Sequence, residues 1–377
     1  MHTPSLKVTI NNIMSSKDPL QIVIVGGGIL GLSAALVISE KLRINHQISV
    51  IAEYLPTGDS YTAEFTSAWA GAHFRPFPSR DGNDERMMQL TRITQCYFRQ
   101  LALVAPNLTI KFIRAEEYLE NPDHYYTETK YGYSEEMSEF EVLDLNKAPH
   151  AFAEDAWGTK YEAWVLDAPM YLNYLYRLLR NRYGVTFIRS KLASLKQVTE
   201  HITGTQVIIN CSGMGLQYDG GYDETCFPIR GQTLLVSPPA NLKEEVTITR
   251  QHSNGMWTFC IPRPNNGGWI VGGTKQVGET DPLPREEDTK ALIERGSKFF
   301  PFLLKSDNQG NKNLDIIRIN VGFRPARKNG LHLSLDQSHD IPVIHNYGAG
   351  GMGYELSYGA ATKVYELLGT LLHQSKL

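Results

Sequence analysis

The pattern of apolar and polar residues near the start of the chain predicts a β-α-β unit. A short apolar, β-branched run at Gln21–Val25 predicts a buried strand, and three glycines follow it within six residues. A second apolar run at Ile48–Ala52 predicts the next strand. Between the two runs, apolar residues recur at helical spacing at Ile29, Leu32, Ala35 and Leu36. The order of these elements is strand, glycine turn, helix, strand.

The rest of the chain divides into a continuation of this sheet and a second group of strands. Helical periodicity at Tyr171–Tyr183 is followed by apolar runs at Val185–Ile188 and Val207–Asn210, which would extend the first sheet. A final strand at Ile341–Ile344 precedes an amphipathic helix over 356–371. Runs separated by Pro, Asn and Gly predict an antiparallel sheet from Thr233–Val236, Val246–Thr249, Thr258–Ile261 and Trp269–Val271. The stretch 116–155 has little periodicity and receives no assignment.

Composition and charge exclude several classes of protein. A length of 377 residues suits two domains, and 42% hydrophobic with 20% charged residues is typical of a globular chain. The net charge of −3 is too balanced for nucleic acid to be a main partner, and no apolar run approaches the length that spans a membrane. Four scattered cysteines without CxxC spacing predict neither disulfides nor a zinc site. We therefore expect no nucleic-acid partner, no membrane partner and no metal.

The glycine turn carries the first candidate chemistry. Gly26, Gly28 and Gly31 form GxGxxG between a predicted strand and a predicted helix, which is the context that the dinucleotide-binding motif requires. Gly26 permits the tight turn, Gly28 lets the backbone approach a pyrophosphate, and Gly31 permits close packing of helix on strand. Glu53 closes the second strand, where a carboxylate binds ribose hydroxyls. These residues predict an adenine dinucleotide, and they leave FAD and NAD open.

Several segments spread over the chain from about Gln21 to its end resemble the D-amino acid oxidase and D-aspartate oxidase family of FAD enzymes. The GFRPAR string and the HNYGAGGMGY string are the most specific of them. The full set of matching segments is Ile24–Ser33, Thr66–Ala72, Asn210–Gly213, Arg230–Gln232, Val321–Arg327 and His345–Tyr354. The resemblance decides between the two dinucleotides and implies FAD.

The resemblance also implies a fold and a reaction. The expected architecture is α/β: a discontinuous Rossmann-type FAD-binding domain at 19–78, 164–216 and 318–377, with an inserted antiparallel-sheet substrate domain at 79–163 and 217–317. The expected reaction is oxidative deamination of a D-amino acid by oxygen, which gives a 2-oxo acid, ammonia and hydrogen peroxide. The sequence does not fix the preferred side chain, the oligomeric state, with a homodimer among the alternatives, or whether the flavin is covalent.

The family's site residues are transferred to the matching positions of this chain. Arg324 would bind the substrate carboxylate through its planar guanidinium, and the substrate amine would lie near the backbone of Gly351. Alignment of the substrate would then matter more than a side-chain base. The residues expected to hold FAD are Gly26, Gly28, Ile29, Leu30, Gly31, Glu53, Thr66, Ser67, Ala70, Gly71, Ala72, Leu192, Ser212, Gly213, Arg324, Gly350, Gly351, Met352, Gly353, Tyr354 and Glu355.

Two positions depart from the family pattern. Phe259 stands where the family has a tyrosine that helps to bind the carboxylate, and loss of that hydrogen bond costs about 1.5–3 kcal/mol unless another group such as Trp257 replaces it. Arg75 follows the flavin loop where relatives carry neutral side chains, so it either meets a second substrate carboxylate or is a surface charge. Two alternatives to a general D-amino acid oxidase follow: an oxidase for D-aspartate or D-glutamate, and a flavin-binding protein with weak or lost activity.

The chain ends in Ser375-Lys376-Leu377, the tripeptide that the peroxisomal import receptor binds. Residence beside catalase suits an enzyme that makes peroxide. We therefore expect a peroxisomal protein, and the alternative is a coincidental polar tail after the last helix.

Overall fold

The computed structural model describes residues 18–57, 62–105, 110–147, 155–239, 244–307 and 309–374. The helices in these ranges are α1 (Ile29–Lys41), α2 (Gly82–Val104), α3 (His124–Thr127), α4 (Ala168–Arg182), α5 (Val198–His201), α6 (Glu286–Phe299) and α7 (Gly353–Gln374). The strands are β1 (Leu20–Val25), β2 (His46–Ala52), β3 (Ala72–His73), β4 (Ile110–Leu119), β5 (Glu141–Val142), β6 (Trp157–Leu166), β7 (Thr186–Arg189), β8 (Val207–Asn210), β9 (Cys226–Val236), β10 (Val246–Gln251), β11 (Trp257–Pro262), β12 (Trp269–Gly272), β13 (Gln276–Val277), β14 (Leu304–Ser306), β15 (Lys312–Leu314), β16 (Ile316–Arg327), β17 (His332–Asp336) and β18 (Val343–Tyr347).

The chain folds into two compact units that alternate along the sequence. The first unit comprises Met1–Tyr61, Leu172–Pro228 and Pro325–Leu377, and the second comprises Thr62–Tyr171 and Ile229–Arg324. A discontinuous first domain and a second domain placed between its segments is the arrangement that the resemblance implies.

The first unit contains a six-stranded sheet in the order β17-β18-β8-β1-β2-β7. β1 pairs in parallel with both β2 and β8, β8 pairs in parallel with β18, and β17 is antiparallel to β18. Helix α1 is buried from Ile29 to Ile38, which explains why its sequence is apolar on every face. The predicted extension of the first sheet by β7 and β8 is confirmed, and the sheet is mainly parallel.

The second unit contains a ten-stranded sheet whose main path is β13-β9-β12-β11-β10-β4-β6-β3. The four predicted strands lie in β9, β10, β11 and β12 and pair antiparallel as expected, whereas β4 and β10 are parallel. Helix α6 covers one face of this sheet, where Leu234, Cys260 and Val271 pack against Leu292. The residues that pack there form an apolar core.

The boundaries between the units differ from those expected. The chain enters the second unit at Thr62 and not after residue 78, because Ala72 and His73 pair with β6. The segment 318–324 belongs to the second unit because β16 pairs with β9. The segment 217–228 belongs to the first unit, where a bridge joins Leu216 to Tyr222.

Three further observations concern helix length, metal-binding groups and cysteines in the described ranges. Their helices include none with the length and apolar character that crossing a bilayer needs. No group of three or more His, Cys, Asp or Glu side chains in those ranges is arranged to hold a metal ion. The thiols of Cys96, Cys211, Cys226 and Cys260 are all free, as the absence of CxxC spacing predicts.

Two buried histidines make the stability of the protein depend on pH. In the second unit, burial lowers the pKa of His73 to about 3, and the nearby charge of Arg75 adds to the shift. In the first unit, burial lowers the pKa of His345 to about 4, and His332 contributes. Because both native-state values lie below the usual value, protons bind the unfolded chain first, and stability falls as pH drops from about 6.5.

We expect His345→Gln to flatten this pH dependence. Between about pH 6 and pH 5, one such histidine contributes a slope of about 1.4 kcal/mol per pH unit, which the glutamine removes. Urea unfolding midpoints at pH 7 and pH 5 measure the effect. The exposed His373 supplies the control, and His373→Gln should retain the wild-type slope. An unchanged slope in His345→Gln would contradict the role given to burial.

Candidate active site

The glycine turn of the first unit is packed too closely for side chains. Gly26 ends β1 with φ +116, and a Cβ there would lie 2.2 Å from the Cys211 carbonyl oxygen. A Cβ at Gly31 would lie 2.0 Å from the Gly26 carbonyl oxygen. The turn therefore lies directly against the end of β8 and beneath the first turn of α1, and both positions require glycine.

The start of α1 is suited to bind an anion. Gly28 is its N-cap, with extended backbone at φ −79 and ψ −175, and it provides no side-chain cap. The first turn of α1 carries no acidic residue. A helix N-terminus has backbone N–H groups directed outward and a partial positive charge, so the diphosphate of a dinucleotide fits here.

A second glycine segment lies beside the first. The Gly350 amide donates to the Pro325 carbonyl at 2.8 Å, and the Gly348 amide donates to the Gly213 carbonyl at 3.0 Å. A Cβ at Gly353 would lie 3.4 Å from Cγ2 of Ile29, so α7 and α1 begin next to each other. The expected cofactor residues of this unit that follow β1, β8 and β18 are Gly26, Gly28, Ile29, Leu30, Gly31, Ser212, Gly213, Gly350, Gly351, Met352, Gly353, Tyr354 and Glu355. Carboxyl ends of parallel strands are where such sheets bind nucleotides.

Glu53 and Leu192 follow the two outer parallel strands of the same sheet. Glu53 comes directly after β2, and its Oε1 accepts hydrogen bonds from the Tyr54 hydroxyl at 3.0 Å and from Lys191 Nζ at 3.2 Å. Leu192 is buried in the core with Ile51 and Ile208, so its contribution to a polar ligand would come from the backbone. The residues present in this unit fit an adenine dinucleotide.

The remaining expected cofactor residues lie in the second unit. Thr66–Trp69 forms a short 3-10 helix that begins with Thr66 and Ser67, and Ala70, Gly71 and Ala72 follow. The Thr66 hydroxyl donates to the Phe323 carbonyl, and a Cβ at Gly322 would lie 3.1 Å from the Trp69 ring. The loop is thus fixed to β16, the strand that carries Arg324.

Arg324 is a partly buried cation whose charge has no carboxylate partner among the described residues. Its Nη1 donates to the Thr274 carbonyl at 3.1 Å, and its guanidinium lies over Gly231, where a Cβ would be 2.5 Å from Nη2. No carboxylate of the described ranges pairs with it, and burial alone lowers its pKa. Because a desolvated charge is costly unless paired, the geometry calls for an anionic ligand.

Phe259 lies on β11, and its ring rests against Gly272 and Gly273. A Cβ at Gly272 would be 2.4 Å from Cζ of the ring. The ring also packs with Ile113, Val165 and Ile261. Phe259 therefore contributes an apolar surface and no hydrogen bond. Trp257, the group considered as its replacement, instead stacks on the guanidinium of Arg75 at 4.3 Å.

One of the two alternatives for Arg75, the solvated surface charge, requires correction. Its Nη1 donates to Glu117 Oε1 at 3.0 Å, and its side chain is 17% exposed while that of Glu117 is 0% exposed. Arg75 is therefore not a solvated surface charge, because the fold holds it against a buried carboxylate. Nor would a neutral substrate leave it unpaired, because Glu117 already neutralises it.

Sequence reasoning did not single out Glu117, Tyr133 or Gly231. Glu117 and Tyr133 lie in or near the stretch that received no assignment, and their roles depend on partners distant in sequence. Gly231 lies inside the Arg230–Gln232 segment of the resemblance, which is the signal that could have identified it.

The chain is similar to known proteins over most of its length. Residues 21–367 match the sequence model of the family described as FAD dependent oxidoreductase. The chain is 35% identical to a D-amino-acid oxidase of Schizosaccharomyces pombe over 91% of this chain and 94% of that protein. It is also 35% identical to a D-aspartate oxidase of Talaromyces thermophilus over 93% and 95% of the two chains. Among solved structures, glycine oxidase from Bacillus cereus matches with a TM-score of 0.68 at 14% identity, over 93% of this chain and 97% of that one.

This chain belongs to the FAD-dependent oxidoreductase family. Membership of this family decides between the two dinucleotides. The cofactor is FAD, and the glycine turn and the start of α1 fit it. The solved structure has the same fold, a Rossmann-type domain with a second domain.

Proposed function

We propose that this protein is a D-amino acid oxidase, which converts a D-amino acid and oxygen to a 2-oxo acid, ammonia and hydrogen peroxide. The observation that carries the proposal is Arg324, a partly buried guanidinium without a carboxylate partner among the described residues. A planar guanidinium forms two parallel hydrogen bonds to a carboxylate and fixes both its charge and its orientation. The two relatives at 35% identity, a D-amino-acid oxidase and a D-aspartate oxidase, support the same class of substrate.

The chain's own residues supply binding and orientation. Arg324 holds the substrate carboxylate, and the ring of Phe259 gives the adjoining wall an apolar surface that excludes water. Bound FAD supplies the redox chemistry, accepting two electrons from the substrate and passing them to oxygen. The helix that begins at Gly353, α7, offers the positive end of its dipole for negative charge. No side-chain base is required if alignment delivers the substrate's Cα hydrogen.

Peroxide release from the purified yellow protein tests this function. A panel of D-amino acids, each paired with its L-enantiomer, should give peroxide and 2-oxo acid with the D-form only. Flavin-loaded protein that releases no peroxide with any D-amino acid would overturn the proposal and favour a flavin-binding protein with lost catalysis.

We propose further that the protein resides in peroxisomes. The Ser375-Lys376-Leu377 tripeptide lies outside the described residues, and the proposal rests on its match to the import signal and on a peroxide-forming reaction. A fluorescent protein fused to the N-terminus should colocalise with catalase, and removal of Leu377 should release it to the cytosol. A fusion whose distribution does not change on removal of Leu377 contradicts the proposal.

A further inference from the structure

Cross-strand register places one row of residues on a single face of the ten-stranded sheet. Thr233, Gly272, Phe259, Thr249 and Glu117 are successive partners across β9, β12, β11, β10 and β4. Residues directly opposite each other in a ladder share a face. We call this the Glu117 face; it is opposite the face covered by α6.

Both arginines of the candidate site lie on the Glu117 face. Trp257 is two residues from Phe259 and therefore projects to the same side, where it stacks on Arg75. The guanidinium of Arg324 covers Gly231, two residues before Thr233 on β9. Arg75 lies between Trp257 on β11 and Glu117 on β4, and Arg324 lies over Gly231 on β9. The two guanidinium groups are therefore separated laterally by at least two strand spacings, roughly 10 Å. A dicarboxylate with one hydrogen bond of about 2.9 Å at either end spans a comparable distance.

The two arginines differ in their counter-charges. Glu117 is completely buried beside Arg75, and it is fixed by the Tyr133 hydroxyl at 3.1 Å and by Gln251 Nε2 at 2.8 Å. Arg324 has no carboxylate partner in the described ranges. On the Glu117 face, Glu117 therefore neutralises the charge of Arg75, whereas the charge of Arg324 remains available to an anionic ligand.

We propose that Glu117 determines side-chain selectivity by neutralising Arg75, so that the Glu117 face accepts one carboxylate, on Arg324, and discriminates against a second. The preferred substrates are then D-amino acids with uncharged side chains. The inference rests on the proposed oxidase function and deepens it. Glu117 acts through Arg75 and is a positioning residue, not a catalytic one.

Steady-state peroxide release by the flavin-loaded enzyme tests the inference. Wild type should favour D-alanine over D-glutamate by at least about tenfold in kcat/KM, because a second carboxylate would meet Glu117. Glu117→Gln keeps the shape of the side chain and removes its charge. Its amide oxygen can still accept from Gln251, and its amide NH2 would donate to the Tyr133 hydroxyl, which also hydrogen-bonds Thr159. This variant should raise the D-glutamate to D-alanine ratio about tenfold or more, through a lower KM for D-glutamate.

Two further variants separate selectivity from structure. Arg75→Gln combined with Glu117→Gln should abolish the gain for D-glutamate, because no free cation remains. Glu116→Gln is the matched control: Glu116 is the neighbouring residue on β4, projects from the other face and pairs with Arg114. Its ratio should equal that of wild type.

Each outcome distinguishes this inference from the function on which it rests. Wild type that oxidises no D-amino acid overturns both. If the wild-type enzyme oxidises D-amino acids but prefers D-aspartate or D-glutamate, only the role given to Glu117 is wrong. That result needs no variant. Equal losses for both substrates in Glu117→Gln, with an unchanged ratio, would assign Glu117 a purely structural role.

Discussion

Arg324→Leu is expected to lower kcat/KM for D-amino acids by roughly a thousandfold, which corresponds to about 4 kcal/mol. The substrate carboxylate would lose its paired charge in a partly buried position where water replaces it poorly. The flavin absorbance should remain, because the glycine turn and helix start that hold the diphosphate lie in the other unit. Peroxide release and titration with benzoate, as a carboxylate probe, measure the two effects.

Two further variants serve as controls for Arg324→Leu. Arg324→Lys keeps the charge but loses the planar pair of donors, so it should recover only part of the activity. Arg99→Leu removes an arginine that pairs with Glu162 and whose side chain is 41% exposed, and it should leave kcat/KM within a few-fold of wild type. Unchanged benzoate affinity in Arg324→Leu would refute the assignment of Arg324.

Gly28→Val should remove FAD while leaving the chain folded. Its φ of −79 and ψ of −175 are available to every residue, so the backbone tolerates the change. A branched side chain would occupy the space that the pyrophosphate needs, weakening FAD by at least about 100-fold. Flavin fluorescence titration and far-ultraviolet circular dichroism distinguish loss of cofactor from loss of fold.

Gly31→Val should behave differently, because its Cβ would lie 2.0 Å from the Gly26 carbonyl oxygen. That variant should lose the fold as well as the flavin. Gly369→Ala is the matched control, since Gly369 is inside α7 with nothing within 4 Å of the added Cβ. A Gly28→Val protein that purifies yellow with wild-type affinity would contradict the prediction.

The elements predicted well from the sequence are those whose burial is visible locally. β1 and β8 are short apolar runs buried on both faces, and their predicted bounds match the structure to within one residue. The glycine turn could also be predicted from the sequence, because its three glycines are close together and lie between a predicted strand and a predicted helix.

Glu117 shows why part of the site was not predictable. Its strand, β4, carries four charged residues without regular alternation, so the sequence does not show which face is buried. The carboxylate is nevertheless buried, because Arg75, Tyr133 and Gln251 converge on it from three other segments. Arg324 was identified through resemblance, since a lone arginine carries no periodic signal.

The position of β18 in the six-stranded sheet has a consequence for synthesis of the protein. β8 pairs with β1 on one side and with β18 on the other, and β18 comprises Val343–Tyr347. While the ribosome is still translating the preceding residues, β8 presents an unpaired apolar edge, and α1 lacks the packing of α7. Such edges recruit other chains. We therefore expect the nucleotide-binding unit to complete its folding only after nearly the whole polypeptide has emerged.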